Sequence, residues 1–309
     1  MTQRIAITGG TGFLGRFITR ALAARGHALR LLARSRPAHP QLADLSFEAV
    51  AGDLDNEAAL ELLLEGADLV VHAAGAIAGP HDAFAHVNVA GTAKLAAAAR
   101  ARGAKLILIS SMAARMPALS AYARSKAEGE AAAEAVLGPP RSWVILRPTA
   151  IYGPWDMATL DIFRLIGRRI AWLPGRPGGR VTVIHAADMA AAVAAFAEPD
   201  APGGVFELTD AEIAGYDWAE VARRVAEIRR VSPRPVFLPP AILRLAARTG
   251  LGGPMLTPGK AEELLHPDWA SSTRAQPPPA LWRPIIPFEQ GLTETLGWYW
   301  NHGFLPYIL

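Results

Sequence analysis

The chain has 309 residues, of which 51% are hydrophobic and 19% charged, so it can bury a sizeable core and is not an intrinsically disordered chain. Its formal charge is +3 without a basic run, which argues against a nucleic-acid-binding protein. Cysteine is absent, which excludes disulfides, thiolate nucleophiles and cysteine-ligated zinc and is compatible with a reducing compartment.

The N-terminus lacks the pattern of a secretion signal, because residues 1–4 lead directly into an apolar run and a glycine cluster. No uncharged apolar stretch of the sequence reaches the ~20 residues that a membrane-spanning helix needs. We therefore expect a cytoplasmic protein that has no membrane span, no nucleic-acid partner and a small-molecule substrate. A homodimer is the oligomer that the sequence leaves open.

The first half of the chain alternates short apolar runs with stretches at helical spacing. Such apolar runs are typical of buried parallel strands, and stretches at helical spacing are typical of the helices that cover them. This half of the chain therefore predicts an α/β fold with a doubly wound parallel sheet. The predicted strands are Ile5–Thr8, Ala28–Ala33, Phe47–Val50, Asp68–His72, Lys105–Ser110 and Trp143–Leu146. The predicted helices are Phe13–Arg25, Glu57–Glu65, Ala83–Arg102 and Ala121–Leu137.

The alternation changes after Pro148, where a loop, a helix and a Pro/Gly/Arg-rich connector over residues 172–180 are predicted. We predict two domains, one of residues 1–150 plus 181–210 and a smaller, discontinuous one of residues 151–180 plus 211–309. The predicted strands here are Val181–Ile184 and Val205–Leu208. The predicted helices are Met157–Gly167, Ala187–Ala197, Asp217–Arg229, Pro240–Arg248 and Phe288–Asn301.

A glycine-rich turn, TGGTGFLG, lies between the first predicted strand and the first helix. Its G-x-x-G-x-x-G spacing gives a tight turn, room for a pyrophosphate beside the backbone and close packing of helix on strand. The free N–H groups and the dipole at the helix start favour an anion. The turn therefore predicts a dinucleotide site in a Rossmann-type domain, and its cofactor-binding residues are Gly9, Gly12, Phe13, Leu14 and Gly15.

The residues after the second predicted strand bear on the choice of cofactor. Arg34 stands there, followed by Arg36, and no carboxylate occurs before Asp44. An acidic residue at this point holds the ribose 2′-OH of NAD, whereas an arginine suits the 2′-phosphate of NADP. We therefore expect NADP(H) rather than NAD(H), with Arg34 as the clamp. Only four of the 31 basic residues are lysines, so the chain is rich in arginine and an arginine can occur at this position by chance. NAD(H) therefore remains the alternative cofactor.

A tyrosine and a lysine stand four positions apart, at Tyr122 and Lys126 of a predicted helix. Side chains at this spacing share one helix face. A tyrosine, whose ordinary pKa is ~10, becomes a useful general acid/base when a nearby ammonium stabilises its phenolate. Ser110 and Ser111 end the fifth predicted strand, where ligands bind in open α/β sheets, so a serine hydroxyl can hold the substrate oxygen.

These residues resemble the extended short-chain dehydrogenases/reductases, the NAD-dependent epimerase/dehydratase-like family. The resemblance spans nearly the whole chain. Besides the glycine turn and the Tyr-x-x-x-Lys pair, it includes Gly52–Leu54, Val70–Gly75, Asn88–Thr92, Leu146–Pro154 and His185–Ala190.

The resemblance implies roles for individual residues. Tyr122 is expected as the general acid/base, Lys126 as the residue that binds the nicotinamide ribose and tunes Tyr122, and Ser111 as the residue that orients the substrate oxygen. In some members the serine role falls one position later, where this chain has Met112. The further cofactor contacts that the resemblance implies are Asp53 and Leu54 at the adenine, Ala73, Ala74 and Gly75 along the cofactor, and Pro148 and Ile151 beside the nicotinamide.

Departures from the family pattern favour simple hydride transfer at a carbonyl or alcohol, as in dihydroflavonol-reductase-like and 3β-hydroxysteroid-dehydrogenase-like members. Residues 112–115 read Met-Ala-Ala-Arg and lack the Asp-Glu pair of sugar-nucleotide 4,6-dehydratases. Tyr122 follows Ser111 after only eleven positions, without the Val-Tyr-Gly turn of many epimerases. The eight histidines show no metal-ligand spacing, so no metal is expected.

Two alternatives stay open. The first is a nucleotide-sugar epimerase, because arginines that could bind a diphosphate follow the expected site, at Arg164, Arg168, Arg169, Arg176 and Arg180. The second is a protein that binds NADPH without turnover. The Tyr122–Lys126 pair argues against this second alternative.

Overall fold

The computed structural model describes residues 2–166, 169–251, 253 and 255–306 of the chain. The apolar runs form strands whose side chains are buried, and all four residues of the strand Leu69–His72 are buried. In chain order the strands of these residues are β1 (Arg4–Thr8), β2 (Ala28–Ala33), β3 (Glu48–Ala51), β4 (Leu69–His72), β5 (Lys105–Ile109), β6 (Trp143–Pro148), β7 (Ala150–Tyr152), β8 (Ile170–Leu173), β9 (Arg180–Val181), β10 (Val183–His185), β11 (Gly204–Leu208), β12 (Tyr216–Asp217) and β13 (Arg234–Phe237).

Some of the helices begin at a residue whose side chain accepts from a free backbone N–H, as Asn56, Ser120 and Asp217 do. None of those that the structure describes has both the length and the apolar composition to cross a membrane. In chain order they are α1 (Phe13–Ala23), α2 (Glu57–Leu64), α3 (His81–Phe84), α4 (Gly91–Ala101), α5 (Ala121–Leu137), α6 (Leu160–Ile166), α7 (Ala186–Phe196), α8 (Trp218–Ile228), α9 (Pro240–Thr249), α10 (Pro258–Leu265) and α11 (Phe288–Asn301).

Seven strands form one parallel sheet in the order β11-β6-β5-β4-β1-β2-β3. Leucine and alanine side chains of α2, α4 and α5 pack on one face of this sheet. The chain order reverses between β1 and β4, and ligands of such sheets bind at the carboxyl ends of the strands near this point. The predicted α/β class and doubly wound parallel sheet are confirmed.

The chain divides into two compact units. The first comprises Met1–Pro148, Ala186–Leu208 and Pro277–Arg283 and contains the large sheet. The second comprises Thr149–His185, Thr209–Gln276 and Pro284–Leu309. Its strands form three two-stranded sheets, and its core joins aromatic and leucine side chains of α6, α8 and α11.

Three predicted elements are wrong. The strand predicted over Val181–Ile184 is two strands, β9 and β10, which pair in different sheets. The connector over residues 172–180 begins inside β8, whose partner β13 lies some sixty residues later and contains Pro235. Proline is tolerated in an edge strand, but a proline in the sequence argues against a strand, so β13 is not predicted from the sequence. The continuous helix over residues 83–102 is interrupted by a π-helical segment, Ala85–Ala90. The predicted helix end at Gly167 lies outside the described residues.

Candidate active site

The glycine turn follows β1 and lies against the residues that follow β4. Gly9 has a φ of 72°, and a Cβ on it would lie 2.7 Å from the carbonyl oxygen of Ala73. A Cβ on Gly15 would lie 2.8 Å from the Cα of Gly10. Both positions therefore require glycine, one for its backbone conformation and one for the packing of α1 on the turn.

The N-terminus of α1 is open to an anion. Gly12 is its N-cap, no side chain caps it among the described residues, and its first turn contains no acidic residue. Phe13 and Leu14 begin the helix and are half-buried. The uncapped N–H groups and the helix dipole fit the pyrophosphate of a dinucleotide.

Arg16 supports the glycine turn, a role that sequence reading missed. The residue is 9% exposed, and its guanidinium donates to the carbonyl oxygen of Thr11 at 2.9 Å and to Oε1 of Gln41 at 2.8 Å. The side chain thus fastens the turn to the segment after β2. Arg34 and Arg36, in contrast, are exposed where β2 ends.

The residues after β4 line the next part of the sheet edge. Ala73 donates its N–H to the carbonyl oxygen of Thr8 at 3.0 Å, Ala73 and Ala74 are half-buried, and Gly75 is exposed. A Cβ on Gly75 would lie 3.1 Å from Nζ of Lys126. The chain after β4 therefore runs close to the predicted catalytic lysine.

Asn88 ties this segment to α5 from within the π-helical segment. It is 3% exposed, its Oδ1 accepts from the N–H of Ala76 at 2.8 Å, and its Nδ2 donates to Ala76 O at 3.0 Å and to Ser125 Oγ at 2.9 Å. Sequence reading found the motif around Asn88 without giving this residue a task. The wide turn of the π-helical segment places the side-chain amide of Asn88 near these partners, and a periodic sequence pattern does not reveal such a turn.

His72, at the end of β4, is a buried structural residue. Its ring nitrogens lie 2.6 Å from Oγ1 of Thr8 and 3.1 Å from Oγ1 of Thr92. Burial, and then the nearby charge of Lys126, lower the pKa of His72 to about 3. It therefore stays neutral at physiological pH and adds no charge to the site.

Tyr122 and Lys126 lie one turn apart on α5. Tyr122 is half-buried and contacts Phe84 edge-on, with ring centroids 6.2 Å apart. Nζ of Lys126 lies 6.0 Å from the Tyr122 ring centroid and donates to the carbonyl oxygen of Ile109 at 3.0 Å. Burial lowers the pKa of Lys126 to about 8, and the carboxylate of Glu130 opposes this shift.

The two serines after β5 have different surroundings. Ser110 is 4% exposed and donates to the carboxylate of Glu130. Ser111 is half-buried, and its Oγ accepts from the N–H of Ala113 at 3.1 Å. Met112 is 2% exposed and belongs to the core.

Glu130 is the buried member of an ion pair whose arginine is partly exposed. It is 4% exposed and follows Lys126 by one turn of α5. Arg147 of β6 donates to its carboxylate through Nε at 2.9 Å and Nη2 at 2.5 Å. The pair joins α5, the end of β5 and the end of β6, and sequence reading missed it because its members lie far apart in the chain.

The remaining predicted contacts lie at other points of the fold. Asp53 is exposed and accepts from the N–H of Asp55 at 3.0 Å, while Leu54 packs beside the core of the first unit. Pro148 is buried at the end of β6 in the first unit. Ile151 is half-buried in β7 of the second unit.

The arginines considered for a diphosphate have varied surroundings. Arg164 pairs with Asp161 at 2.9 Å, and Arg180 donates to the carbonyl oxygen of Gly215 at 3.1 Å. Arg168 lies outside the described residues, and Arg169 and Arg176 are exposed. Among the residues that the structure describes, no group of three or more His, Cys, Asp or Glu side chains could hold a metal ion.

Residues 5–208 match the NAD dependent epimerase/dehydratase family, and the chain belongs to this family. A protein of Caulobacter vibrioides named ceramide reductase is 43% identical, with 98% of this chain and 96% of that protein covered. A 4-hydroxy-2-methyl-3-oxo-4-farnesyl-3,4-dihydroquinoline-1-oxide ketoreductase of Stigmatella aurantiaca is 32% identical over 67% of this chain and 68% of its own.

A 3 beta-hydroxysteroid dehydrogenase/Delta 5-->4-isomerase of Mycobacterium tuberculosis is 27% identical over 96% of this chain and 90% of its own. Among solved structures, gox2253 superposes with a TM-score of 0.75 at 23% identity, covering 99% of this chain and 100% of that one. WbmG of Bordetella bronchiseptica, in complex with NAD, superposes with a TM-score of 0.70 at 23% identity, covering 100% and 97%.

These similarities confirm the resemblance to extended short-chain dehydrogenases/reductases. The family is dependent on a nicotinamide dinucleotide and is named for epimerases and dehydratases, and the relatives matched here include reductases. The protein is therefore an NAD(P)-dependent oxidoreductase or epimerase.

Proposed function

We propose that the protein is an NADP(H)-dependent reductase of a lipid ketone and that its substrate is a ceramide-type lipid. The identity of 43% to the ceramide reductase, over nearly the full length of both chains, carries this proposal. It extends through the second unit, where substrate specificity resides in our assignment. A relative of Stenotrophomonas maltophilia named 2-alkyl-3-oxoalkanoate reductase, 31% identical over 50% of this chain and 52% of its own, supports an aliphatic keto substrate.

We assign the cofactor to residues 1–150 plus 181–210 and the substrate to residues 151–180 plus 211–309. The glycine turn suits the cofactor because Gly9 and Gly15, where a Cβ would overlap backbone atoms, allow the tight turn that a dinucleotide site needs, and because the N-terminus of α1 is uncapped. A bound NADPH would supply the hydride. The residues that would hold it are Gly9, Gly12, Phe13, Leu14, Gly15, Arg34, Asp53, Leu54, Ala73, Ala74, Gly75, Tyr122, Lys126, Pro148 and Ile151.

In this mechanism Tyr122 delivers the proton to the substrate oxygen. Its hydroxyl acts as the general acid in reduction and as the general base in the reverse reaction. Lys126 is predominantly protonated below its pKa of about 8, and its positive charge favours the phenolate that Tyr122 becomes. The carbonyl oxygen of Ile109 holds the ammonium in position.

Ser111, rather than Ser110, orients the substrate oxygen in our proposal. The Oγ of Ser111 accepts from Ala113 N, so its own proton can be donated to a substrate oxygen. Ser110 is buried, and its hydroxyl already donates a hydrogen bond to Glu130. A serine committed in this way supports the site without contacting substrate.

An assay with purified protein tests the proposal. We expect NADPH to be consumed in the presence of a keto-ceramide, with one equivalent of alcohol formed per equivalent of NADPH. UDP-glucose is the comparison substrate, because an epimerase interconverts it without net consumption of cofactor. Turnover of UDP-glucose with no NADPH consumed on the ketone would contradict the proposal and favour the epimerase alternative.

A further inference from the structure

Helix α9 of the second unit exposes apolar side chains that the proposed chemistry does not use. Ile242 is 52% exposed, Leu245 is 59% exposed, and Leu251, just after the helix, is 84% exposed. Together they are three of the nine large hydrophobic side chains that are exposed among the described residues. Single exposed hydrophobics are ordinary, but a cluster on one short segment marks an interaction surface.

The fold does not need this exposed face, because α9 already packs through its other side. Leu243 and Ala247 are 3% and 7% exposed and pack with Ala261 and Leu265 of α10. A helix that is apolar on two faces buries both in its working state. One partner is α10, and the face of Ile242 and Leu245 requires another.

An ion pair fixes α9 on α10 and thereby fixes the direction of the exposed face. Nε and Nη2 of Arg244 donate to the two carboxylate oxygens of Glu262 at 2.7 and 2.9 Å. Both ends of α9 are also defined, by Pro240 in its first turn and by Gly250, which has a left-handed conformation, at its C-cap. The exposed apolar side chains therefore stand on an element with a defined position within its unit.

The charge of the segment that contains this face is net positive. Residues 228–265 hold six basic and two acidic residues, a net charge of +4 against +3 for the whole chain. Of the six basic residues, Arg229 is 5% exposed, and Arg244 and Lys260 pair with Glu262 and Glu263. The other three are exposed: Arg230, Arg234 and Arg248.

We propose that α9 binds to the surface of an anionic phospholipid bilayer. Ile242, Leu245 and Leu251 enter the boundary between headgroups and acyl chains, and exposed basic side chains of the same segment, Arg248 of α9 among them, bind lipid phosphates. Exposed apolar side chains on a segment of net positive charge are the complement of such a surface. The purpose of this contact rests on the proposed function, because a reductase of a ceramide-type lipid must reach a substrate that resides in a bilayer.

Co-sedimentation of the full chain with vesicles tests the proposal. We expect binding to phosphatidylcholine vesicles that contain about 30% phosphatidylglycerol, weaker binding to pure phosphatidylcholine, and release by salt. The double variant Ile242→Glu/Leu245→Glu should bind about tenfold less or weaker still, because it removes both apolar insertions. Arg248→Gln should weaken binding about fivefold.

Leu62→Glu is the matched control. Leu62 is 47% exposed on α2 of the first unit, so this variant makes the same change on a helix that we do not expect to touch lipid. Equal binding of the wild type and the double variant would overturn the proposal, as would a wild type that binds neither vesicle. A double variant that turns a dimer into a monomer in sedimentation velocity would instead assign the face to a second copy of this chain.

Activity separates this proposal from the function on which it rests. With a short-chain keto substrate in solution, the double variant should match the wild type, and with the lipid in vesicles it should be slower. Lipid binding by α9 in a protein that turns over no ketone would overturn the proposed function alone. Reduction of a keto-ceramide without vesicle binding would overturn only the role of α9.

Discussion

Two regions of the molecule can be compared. At the carboxyl end of the large sheet, charged side chains are buried, whereas on helix α9 apolar side chains are exposed to water. In the first unit, the charged side chains of Lys126 and Glu130 are only 9% and 4% exposed, and hydrogen bonds replace the water that they lose. In the second unit, the apolar side chains of Ile242 and Leu245 are 52% and 59% exposed. Each arrangement costs folding free energy, so each is expected where a function requires it.

Removing the hydroxyl oxygen of the half-buried Tyr122 is expected to have the largest effect. Tyr122→Phe keeps the ring beside Phe84 but removes the proton that the mechanism delivers, so turnover should fall by about 10²–10⁴-fold. Steady-state NADPH oxidation measures this loss. NADPH binding, followed by fluorescence, should remain nearly normal. A variant that keeps most of its turnover would remove Tyr122 from the mechanism.

A substitution at Glu130 tests how much the buried charged groups contribute to the free energy of unfolding. Glu130→Ala leaves the guanidinium of Arg147 and the hydroxyl of Ser110 without their buried partner, so the free energy of unfolding should fall by about 3 kcal/mol. Urea denaturation measures this change. The matched control is Asp44→Asn, which breaks the exposed pair with Arg20 and should hardly change stability. Similar losses in both variants would show that burial is not what makes the pair important.

The large sheet and the Tyr122–Lys126 pair could be predicted because both depend on local spacing. Short continuous apolar runs and helical patterns mark the strands and helices of the first unit, and an i, i+4 pair shares a face in any helix. The link from Glu130 to Arg147 spans 17 residues and the pairing of β8 with β13 some sixty. Such contacts arise from tertiary packing, which no local pattern encodes.

The pH dependence sharpens the comparison further, because burial sets the charge of Lys126. Its pKa of about 8 lies below the usual value for lysine, so the required ammonium is lost as pH rises through about 8. Turnover should therefore fall about tenfold between pH 7 and 9. The sign for stability is opposite: the unfolded chain holds this proton to higher pH, so the contribution of Lys126 to stability rises with pH above about 8. Lys126→Met should abolish that rise, and a rise that persists in this variant would come from another group.

Arg34 provides the smallest effect, because it is an exposed cation, whereas Lys126 of the same unit is buried. If it holds the 2′-phosphate, Arg34→Gln should weaken NADPH binding about fivefold and leave NADH binding unchanged, since exposed ion pairs contribute little. Fluorescence titration with both nucleotides measures the ratio. Arg25→Gln is the matched control, because Arg25 is a partly exposed arginine of the same unit that pairs with Glu198. A variant that loses affinity for both nucleotides equally would remove Arg34 from 2′-phosphate recognition, and wild-type preference for NADH would make the cofactor NAD.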